Sequence, residues 1–118
     1  MPDDGDILSA KARLRDLMRA RRAALPLDER THAATAITGH VLAAELIPTG
    51  SIVGAFMPIG EEINPLPLCA RLRASGHTIA LPRMVGKGKP VEFHVHAPGD
   101  PLETKIWGIR EPTTAAPL

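Results

Sequence analysis

Residues 51–81, SIVGAFMPIGEEINPLPLCARLRASGHTIAL, decide the fold class of this chain. The run Ser51–Phe56 is uncharged and lacks polar alternation, which is typical of a strand covered on both faces. Asn64-Pro65 is a helix-start signal, and Gly76 ends the helix before a second strand-like run, His77–Leu81. Strand, helix and strand within about thirty residues form a βαβ unit, so the sequence predicts parallel strands joined by a right-handed crossover.

Two helices are predicted before this unit. The first runs from about Ile7 to Leu25 and is stopped by Pro26, and the second is capped by Asp28 and runs to about Leu46. Helical spacing places apolar side chains on one face of each helix, where they are expected to face the core. These side chains are Leu14, Leu17, Met18 and Leu25 in the first helix and Ile37, Val41 and Leu42 in the second.

A further strand, Val91–Val95, is predicted after the βαβ unit. It follows Gly86–Pro90, a segment that we interpret as a hairpin turn because it is too short for a Walker loop and lacks the helix that follows one. The predicted fold class is therefore α/β: two N-terminal helices, a βαβ unit and further strands of a mostly parallel sheet covered by helices.

Composition limits the function classes. The chain has 118 residues, 44% of them hydrophobic and 23% charged, which fits one globular domain and excludes a wholly disordered chain. No apolar run of about 18 residues occurs, so no membrane span is predicted. The N-terminus is acidic, unlike a secretory signal, and the single cysteine, Cys69, excludes an internal disulfide. We therefore expect a cytoplasmic protein.

Polar side chains follow both strands of the βαβ unit. Ligands bind beyond the carboxyl ends of parallel strands, which selects Glu61 and Glu62 after the first strand and Arg83 after the second. Two adjacent carboxylates could hydrogen-bond a polar heterocycle, and Arg83 could bind an anion. A solvated pair of loop carboxylates and a surface arginine remain the alternatives.

The first helix is strongly basic, with six of the fourteen basic residues between Lys11 and Arg22. Lysine and arginine one turn apart could grip phosphate, although a merely solvated basic helix remains the alternative. Helical spacing predicts that Arg13 and Arg19 point away from the face that would do so. That face carries Lys11, Arg15, Met18 and Arg22.

Three other features have simpler explanations than a site. His94 and His96 alternate in a strand, but no third ligand stands beside them, so we interpret them as half-exposed strand histidines and predict no metal site. Cys69 is expected to be a small buried residue, and Trp107, taken alone, a core residue.

Together these segments resemble the 5-formyltetrahydrofolate cyclo-ligase family, also called 5,10-methenyltetrahydrofolate synthetase. Each segment is weak alone, but their order and spacing along the chain are fairly specific. The segments are Lys11–Arg15, Arg21-Arg22 with Leu25, Gly54–Ile63, Leu81–Arg83, Val91–Phe93 and Ile106–Pro112.

The resemblance implies an ATP-driven ring closure with Mg²⁺. In the family, ATP phosphorylates the formyl oxygen of 5-formyltetrahydrofolate, and N10 then attacks the activated carbon to give 5,10-methenyltetrahydrofolate, ADP and phosphate. By similarity, Lys11 and Arg15 would bind ATP, with Arg15 also near the folate. Met57, Glu62 and Trp107 would contact the folate, and the similarity extends more weakly to Glu61 and Arg83.

One departure from the family pattern is large. The family's glycine-rich nucleotide loop, of the Gly-Tyr-Gly-Gly-Gly-Tyr-Tyr-Asp-Arg type, lies downstream of the tryptophan region, and this chain has no tyrosine. We therefore expect residues 1–118 to be the N-terminal part of one cyclo-ligase domain with a three-layer α/β/α fold when complete. Alone, the chain is expected to be inactive and to self-associate through an uncovered sheet edge.

Two alternatives stay open at this stage. One is a non-catalytic relic that binds folate or nucleotide, or an assembly partner of another chain. The other is a nucleic-acid-binding module built on the basic helix. With 3% aromatic residues, the chain lacks the stacking platforms of single-strand binders, so nucleic acid is the less favoured partner.

Overall fold

The computed structural model describes residues 3–105, 108–113 and 118, and it has an α/β architecture. In chain order the helices are α1 (Asp4–Ala24), α2 (Leu27–Ala43) and α3 (Leu66–Ala74). The strands are β1 (Ile52–Gly54), β2 (Thr78–Arg83), β3 (Glu92–Val95), β4 (Leu102–Thr104) and β5 (Arg110–Pro112). Within the described residues, no helix is both long enough and apolar enough to cross a membrane.

The strands form two small sheets. The first has the order β1-β2-β3, with β1 parallel to β2 and β2 antiparallel to β3. The second pairs β4 with β5 in antiparallel fashion. The predicted βαβ unit is thus present as β1, α3 and β2, with Gly54 opposite Ala80 in the register.

The expectation of a mostly parallel sheet is wrong for the described residues, because only β1 and β2 are parallel. The physical reason is the length of the connections. A parallel pair needs a crossover of about a dozen residues or more, whereas a short connection returns the chain antiparallel. The segment 84–91 joins β2 to β3 and the segment 105–109 joins β4 to β5. The hairpin turn at 86–90 is confirmed, since the Lys89 amide donates to the Gly86 carbonyl at 3.2 Å.

Local capping explains where the helices begin. The side chain of Asp3 accepts a hydrogen bond from the Asp6 amide at 2.8 Å, so α1 begins three residues before the predicted start. The prediction that Asp28 caps α2 is wrong. Asp28 lies within the first turn of the helix, and Pro26 occupies the N-cap. In α3, Asn64 accepts from the Leu66 amide at 3.0 Å, and Gly76, with φ of +92°, follows the last turn.

The hydrophobic core lies between α3 and one face of the first sheet. Its buried members are Met57, Cys69, Leu72, Ile79 and Leu81. Cys69 is 3% exposed, which confirms the expectation of a small buried residue. The opposite face of the sheet is only partly covered by the described residues, since Ala80 is buried there while Ile52 is 57% and Phe93 38% exposed. Strand β1 is therefore neither covered on both faces nor paired on its second edge within this part of the chain.

The apolar side of α1 was predicted to face the core, and this is wrong in the described structure. No side chain of α1 is buried, and Leu14 and Leu17 are 57% and 47% exposed. In α2 the small residues Ala34 and Thr38 are buried, whereas Ile37 remains 45% exposed. Since α1 is held by few apolar contacts, its sequence is constrained less by packing than that of α3.

Candidate functional site

The loop after β1 is fixed by its own hydrogen bonds. Ala55 continues the pairing by donating to the Ala80 carbonyl at 2.9 Å. The amide of Glu62 donates to the Ile59 carbonyl at 3.2 Å, and the Ile59 amide donates to Oε1 of Glu62 at 2.9 Å. Gly60 has a φ of +56°, a conformation that a glycine adopts without strain. The Glu62 carboxylate is thus held in one position while its side chain remains exposed.

A cleft of about 370 Å³ separates this loop from the C-terminal half of α1. Two arginines of the helix face two glutamates of the loop across it, and we call it the arginine cleft. It is lined by Arg19, Arg22, Ile59, Gly60, Glu61 and Glu62. The volume lies within the range of small-ligand pockets. Cationic and anionic groups on opposite walls allow the cleft to hold phosphate oxygens on one side and hydrogen-bond donors on the other.

The lining corrects the predicted cationic face of α1. Arg19 was expected to point elsewhere, but it lines the cleft together with Arg22. The two residues are three apart, and positions three or four apart are neighbours on a helix surface. Helical spacing alone predicted that Arg19 points away from that face, and only the position of the opposing loop shows that Arg19 lines the cleft.

Lys11 and Arg15 do not line the arginine cleft, but they lie on the same helix towards its N-terminus. With a rise of about 1.5 Å per residue, Arg15 is about 6 Å and Lys11 about 12 Å along the axis from Arg19. Both side chains are exposed. Within the described residues, none of the side chains of Lys11, Arg15, Arg19 and Arg22 has a hydrogen bond or ion pair. These four cations are therefore available to a ligand.

Met57, predicted to contact the folate, does not line the arginine cleft. Met57 is 7% exposed and packs in the hydrophobic core beneath the loop, so it supports the loop from below. Trp107 lies outside the described residues, and its contact with folate stays a prediction. Of the predicted residues, Glu61 and Glu62 share the arginine cleft with α1.

Arg83 has a structural partner set at the end of β2. Its Nη1 donates to Oε1 of Glu103 and to the carbonyl of Pro112, both at 2.7 Å. The neighbouring Met84 amide donates to the carboxylate of Glu111 at 3.0 Å, and Glu111 is 1% exposed. Hydrogen bonds from Arg83 and then Lys105 lower the pKa of Glu103 from its ordinary value. Arg83 thus ties the two sheets together.

Of the two histidines singled out from the sequence, His94 lies within β3 and His96 directly follows it. His94 is 7% exposed, so the expectation that it is half-exposed is wrong; its Nε2 lies 3.2 Å from Oε2 of Glu92. His96 pairs through Nε2 with the carbonyl of Asp100 at 3.0 Å. In the part of the chain that the structure describes, no three His, Cys, Asp or Glu side chains are placed to hold a metal ion.

Comparison with known proteins shows the family of this chain. The model of the 5-formyltetrahydrofolate cyclo-ligase family matches residues 7–117. The chain belongs to this family. The resemblance seen in the sequence is thereby confirmed. No match was found among curated protein sequences.

A solved structure supports the fold of this cyclo-ligase family chain. The NMR structure of Aquifex aeolicus 5,10-methenyltetrahydrofolate synthetase matches with a TM-score of 0.73 and 20% identity. The match covers 92% of this chain and 54% of that protein, so the chain spans about half the length of the solved relative. At this identity the likeness establishes a shared fold.

Proposed function

We propose that this chain supplies folate- and ATP-binding groups for the ATP-dependent cyclisation of 5-formyltetrahydrofolate to 5,10-methenyltetrahydrofolate. One observation carries the proposal: Arg19 and Arg22 of α1 face Glu61 and Glu62 across the arginine cleft at the carboxyl end of β1. The reaction brings a polyphosphate and a heterocycle rich in N–H donors together, and the two walls of the cleft match these two partners.

The cationic side would act on ATP. Phosphoryl transfer depends mainly on positioning and on electrostatic stabilisation of the phosphoryl oxygens. Lys11, Arg15 and the two cleft arginines extend along one side of α1 and have no competing partners among the described residues. They would orient the phosphates so that the terminal group meets the formyl oxygen, and they would stabilise the charge that develops on transfer.

The loop side would bind the folate. The Glu62 carboxylate is preorganised by the Ile59 amide, and its remaining lone pairs can accept hydrogen bonds from the pterin ring. Met57 would act through the loop above it, by fixing the loop to the core.

Mg²⁺, which the family resemblance implies, has no all-protein site among the described residues. Magnesium in phosphoryl-transfer sites is held largely by substrate phosphates and one or two carboxylates, and Glu61 is the cleft carboxylate that makes no hydrogen bond within the described residues. Glu61 would be its protein ligand here, and bound Mg²⁺ would supply charge neutralisation.

Replacement of Glu62 by glutamine tests the folate side. The side-chain carbonyl of the introduced glutamine can still accept from the Ile59 amide, so stability should change little. Binding of 5-formyltetrahydrofolate should weaken by about 1.5–3 kcal/mol, the usual contribution of hydrogen bonds to a charged acceptor. Calorimetric titration of the wild-type chain and Glu62→Gln measures this, with the exposed Glu45→Gln as the matched control. Equal folate affinity in all three proteins would contradict the assignment.

An assembly role is the second candidate, and the open sheet supports it. Strand β1 is an edge strand within the described residues, and apolar side chains on that face of the sheet are exposed: Ile52, Phe56, Val91 and Phe93. A second polypeptide could pair a strand with the open edge of β1, and a layer packed on the face would bury these side chains. We accordingly expect the chain alone to self-associate and to show no cyclo-ligase turnover. A monomer at all concentrations in sedimentation equilibrium would contradict the expected self-association.

A further inference from the structure

A second cleft, of about 580 Å³, opens beyond the carboxyl end of β2. It has not been used in the function proposed above. The sequence contains only four lysines, and three of them line this cleft, which we call the lysine cleft. Its lining is Met84, Val85, Gly86, Lys87, Gly88, Lys89 and Lys105. No acidic side chain is among the lining residues.

The three lysines differ in how far their charge is balanced. Nζ of Lys105 lies 3.3 Å from Glu103 and 3.6 Å from Glu111, so two carboxylates of the second sheet hold it. Lys87 and Lys89 are exposed and make no ion pair with any described residue. Two positive charges at the cleft are therefore uncompensated, which suits a ligand with two negative groups.

The turn at residues 86–90 positions Lys87 and Lys89. The Lys89 amide donates to the Gly86 carbonyl, and Gly88 has a φ of +73°. The aliphatic stem of Lys89 lies across Gly86, where a Cβ atom would come within 3.3 Å of Cδ of Lys89. Glycine at position 86 thus allows the stem to lie on the turn. With Met84 and Val85, the cleft combines an apolar lining with cationic tips, which suits a ligand that is part apolar and part anionic.

The lysine cleft and the arginine cleft open from the same edge of the sheet. Strands β1 and β2 are parallel neighbours, so the loops at their carboxyl ends lie side by side. The substrate in the proposed function has a matching polarity. Its pterin lies at one end, and at the other end an aromatic p-aminobenzoyl group carries glutamate with two carboxylates.

We propose that the lysine cleft binds an aromatic dicarboxylate, which for the proposed substrate is its p-aminobenzoyl-glutamate end. This assignment rests on the proposed function. In it, the aromatic ring packs against Met84 and Val85, while Lys87 and Lys89 bind the carboxylates and Lys105 closes the inner side of the cleft. The glutamate end would add affinity without taking part in the ring closure.

The test uses p-aminobenzoyl-glutamate, which lacks the pterin and the formyl group. Its binding to the 118-residue chain is measured by calorimetry for the wild type and for the double variant Lys87→Gln/Lys89→Gln. Loss of two charge-assisted contacts should weaken binding by about tenfold. The control, Arg13→Gln/Arg71→Gln, removes two exposed charges elsewhere and should bind like the wild type, with circular dichroism confirming that every variant is folded.

Two further ligands separate the sources of binding. The diethyl ester of p-aminobenzoyl-glutamate keeps the ring but loses both charges, and it should bind at least about tenfold more weakly than the acid. Tripolyphosphate tests the competing phosphate source. Tripolyphosphate binding that depends on Lys87 and Lys89, with no binding of the aromatic acid, would overturn the assignment, as would equal binding to both double variants.

Failure of the lysine-cleft assignment and failure of the proposed function would give different experimental results. Glu62→Gln should leave binding of p-aminobenzoyl-glutamate unchanged, because the fragment has no pterin. If the fragment binds through the lysines while intact 5-formyltetrahydrofolate is insensitive to Glu62→Gln, the lysine cleft stands and the folate role of the arginine cleft fails. The reverse result removes the lysine cleft alone.

Discussion

Two arginine-bearing regions of this chain are both candidate anion sites in the sequence, and the structure separates them. At the end of β2, Arg83 donates to Glu103 and to the Pro112 carbonyl, both at 2.7 Å, and so joins the two sheets. On α1, Arg19 and Arg22 line a cleft and have no partner within the described residues. The hydrogen-bond partners of the side chain, rather than its charge, distinguish a structural arginine from one that is available to a ligand.

The comparison extends to the surroundings of each region. Around Arg83, Glu103 and the buried Glu111 lie within ion-pair distance of Arg83 or Lys105, so the charges of this region balance one another. Around α1 no side chain is buried, and the helix contributes nothing to the hydrophobic core. We therefore expect substitutions near Arg83 to change stability and substitutions on α1 to change ligand binding.

The largest effect is expected from Arg83→Met. The variant loses two hydrogen bonds of a half-buried cation, which leaves the Pro112 carbonyl without this donor and Glu103 with Lys105 as its remaining cationic partner. The free energy of unfolding should fall by about 2–3 kcal/mol, as measured by urea denaturation. Arg71→Met, on the exposed side of α3, serves as the control and should change it by less than about 0.5 kcal/mol. If Arg83→Met were as stable as the control, the two regions would not differ in the way described.

The next effect concerns ATP binding by α1. Lys11→Ala and Arg15→Ala should each lower ATP affinity by about tenfold, or about 1.4 kcal/mol per lost charge-assisted contact. Stability should be unchanged, because both side chains are exposed and unpaired within the described residues. Arg19→Ala should have a similar effect on ATP, whereas Arg13→Ala, on another face of α1, should bind ATP like the wild type. Equal losses in all four variants, by equilibrium dialysis, would indicate a diffuse basic surface.

The smallest effect is a pH dependence at the Arg83 region. Arg83 and Lys105 lower the pKa of Glu103 below its ordinary value of 4.5, so the ionised form is favoured in the folded state. This stabilisation is present above about pH 4.5 and is lost as the pH falls below that value and through the folded-state pKa. Glu103→Gln should therefore flatten the decline of thermal stability between about pH 5 and 3. The exposed Glu45→Gln should leave the decline unchanged, and an unchanged decline in Glu103→Gln would exclude the linkage.

Short-range patterns predicted much of the fold. The βαβ unit, the end of α3 at Gly76 and the hairpin turn at 86–90 follow from residues that lie next to one another in the sequence. The antiparallel pairing of β2 with β3 could also be predicted from the sequence, because the short connection between them excludes a crossover. The exposure of Leu14 and Leu17 could not be predicted, since helical spacing identifies an apolar face but does not say what covers it.

In the candidate site, too, residues selected by a local sequence pattern could be predicted, and residues whose surroundings depend on distant segments could not. Glu61 and Glu62 were found because the end of a parallel strand is a known position for ligands. Arg19 was missed because its use depends on a loop about forty residues away. The structural role of Arg83 could not be predicted either, as its partners Glu103 and Pro112 follow by 20 and 29 residues in segments with no regular pattern.

The most direct test of the account is an amide chemical-shift titration of the ¹⁵N-labelled chain with ATP. We predict that the largest shifts occur on α1 from Lys11 to Arg22 and in the loop Ile59–Glu62, while the amides around Arg83 keep their chemical shifts. We also predict that Arg22→Gln removes the loop shifts with no change in stability. Shifts concentrated at Met84–Lys89, or spread evenly over all basic residues, would contradict the claim that the arginine cleft is the ATP and folate site.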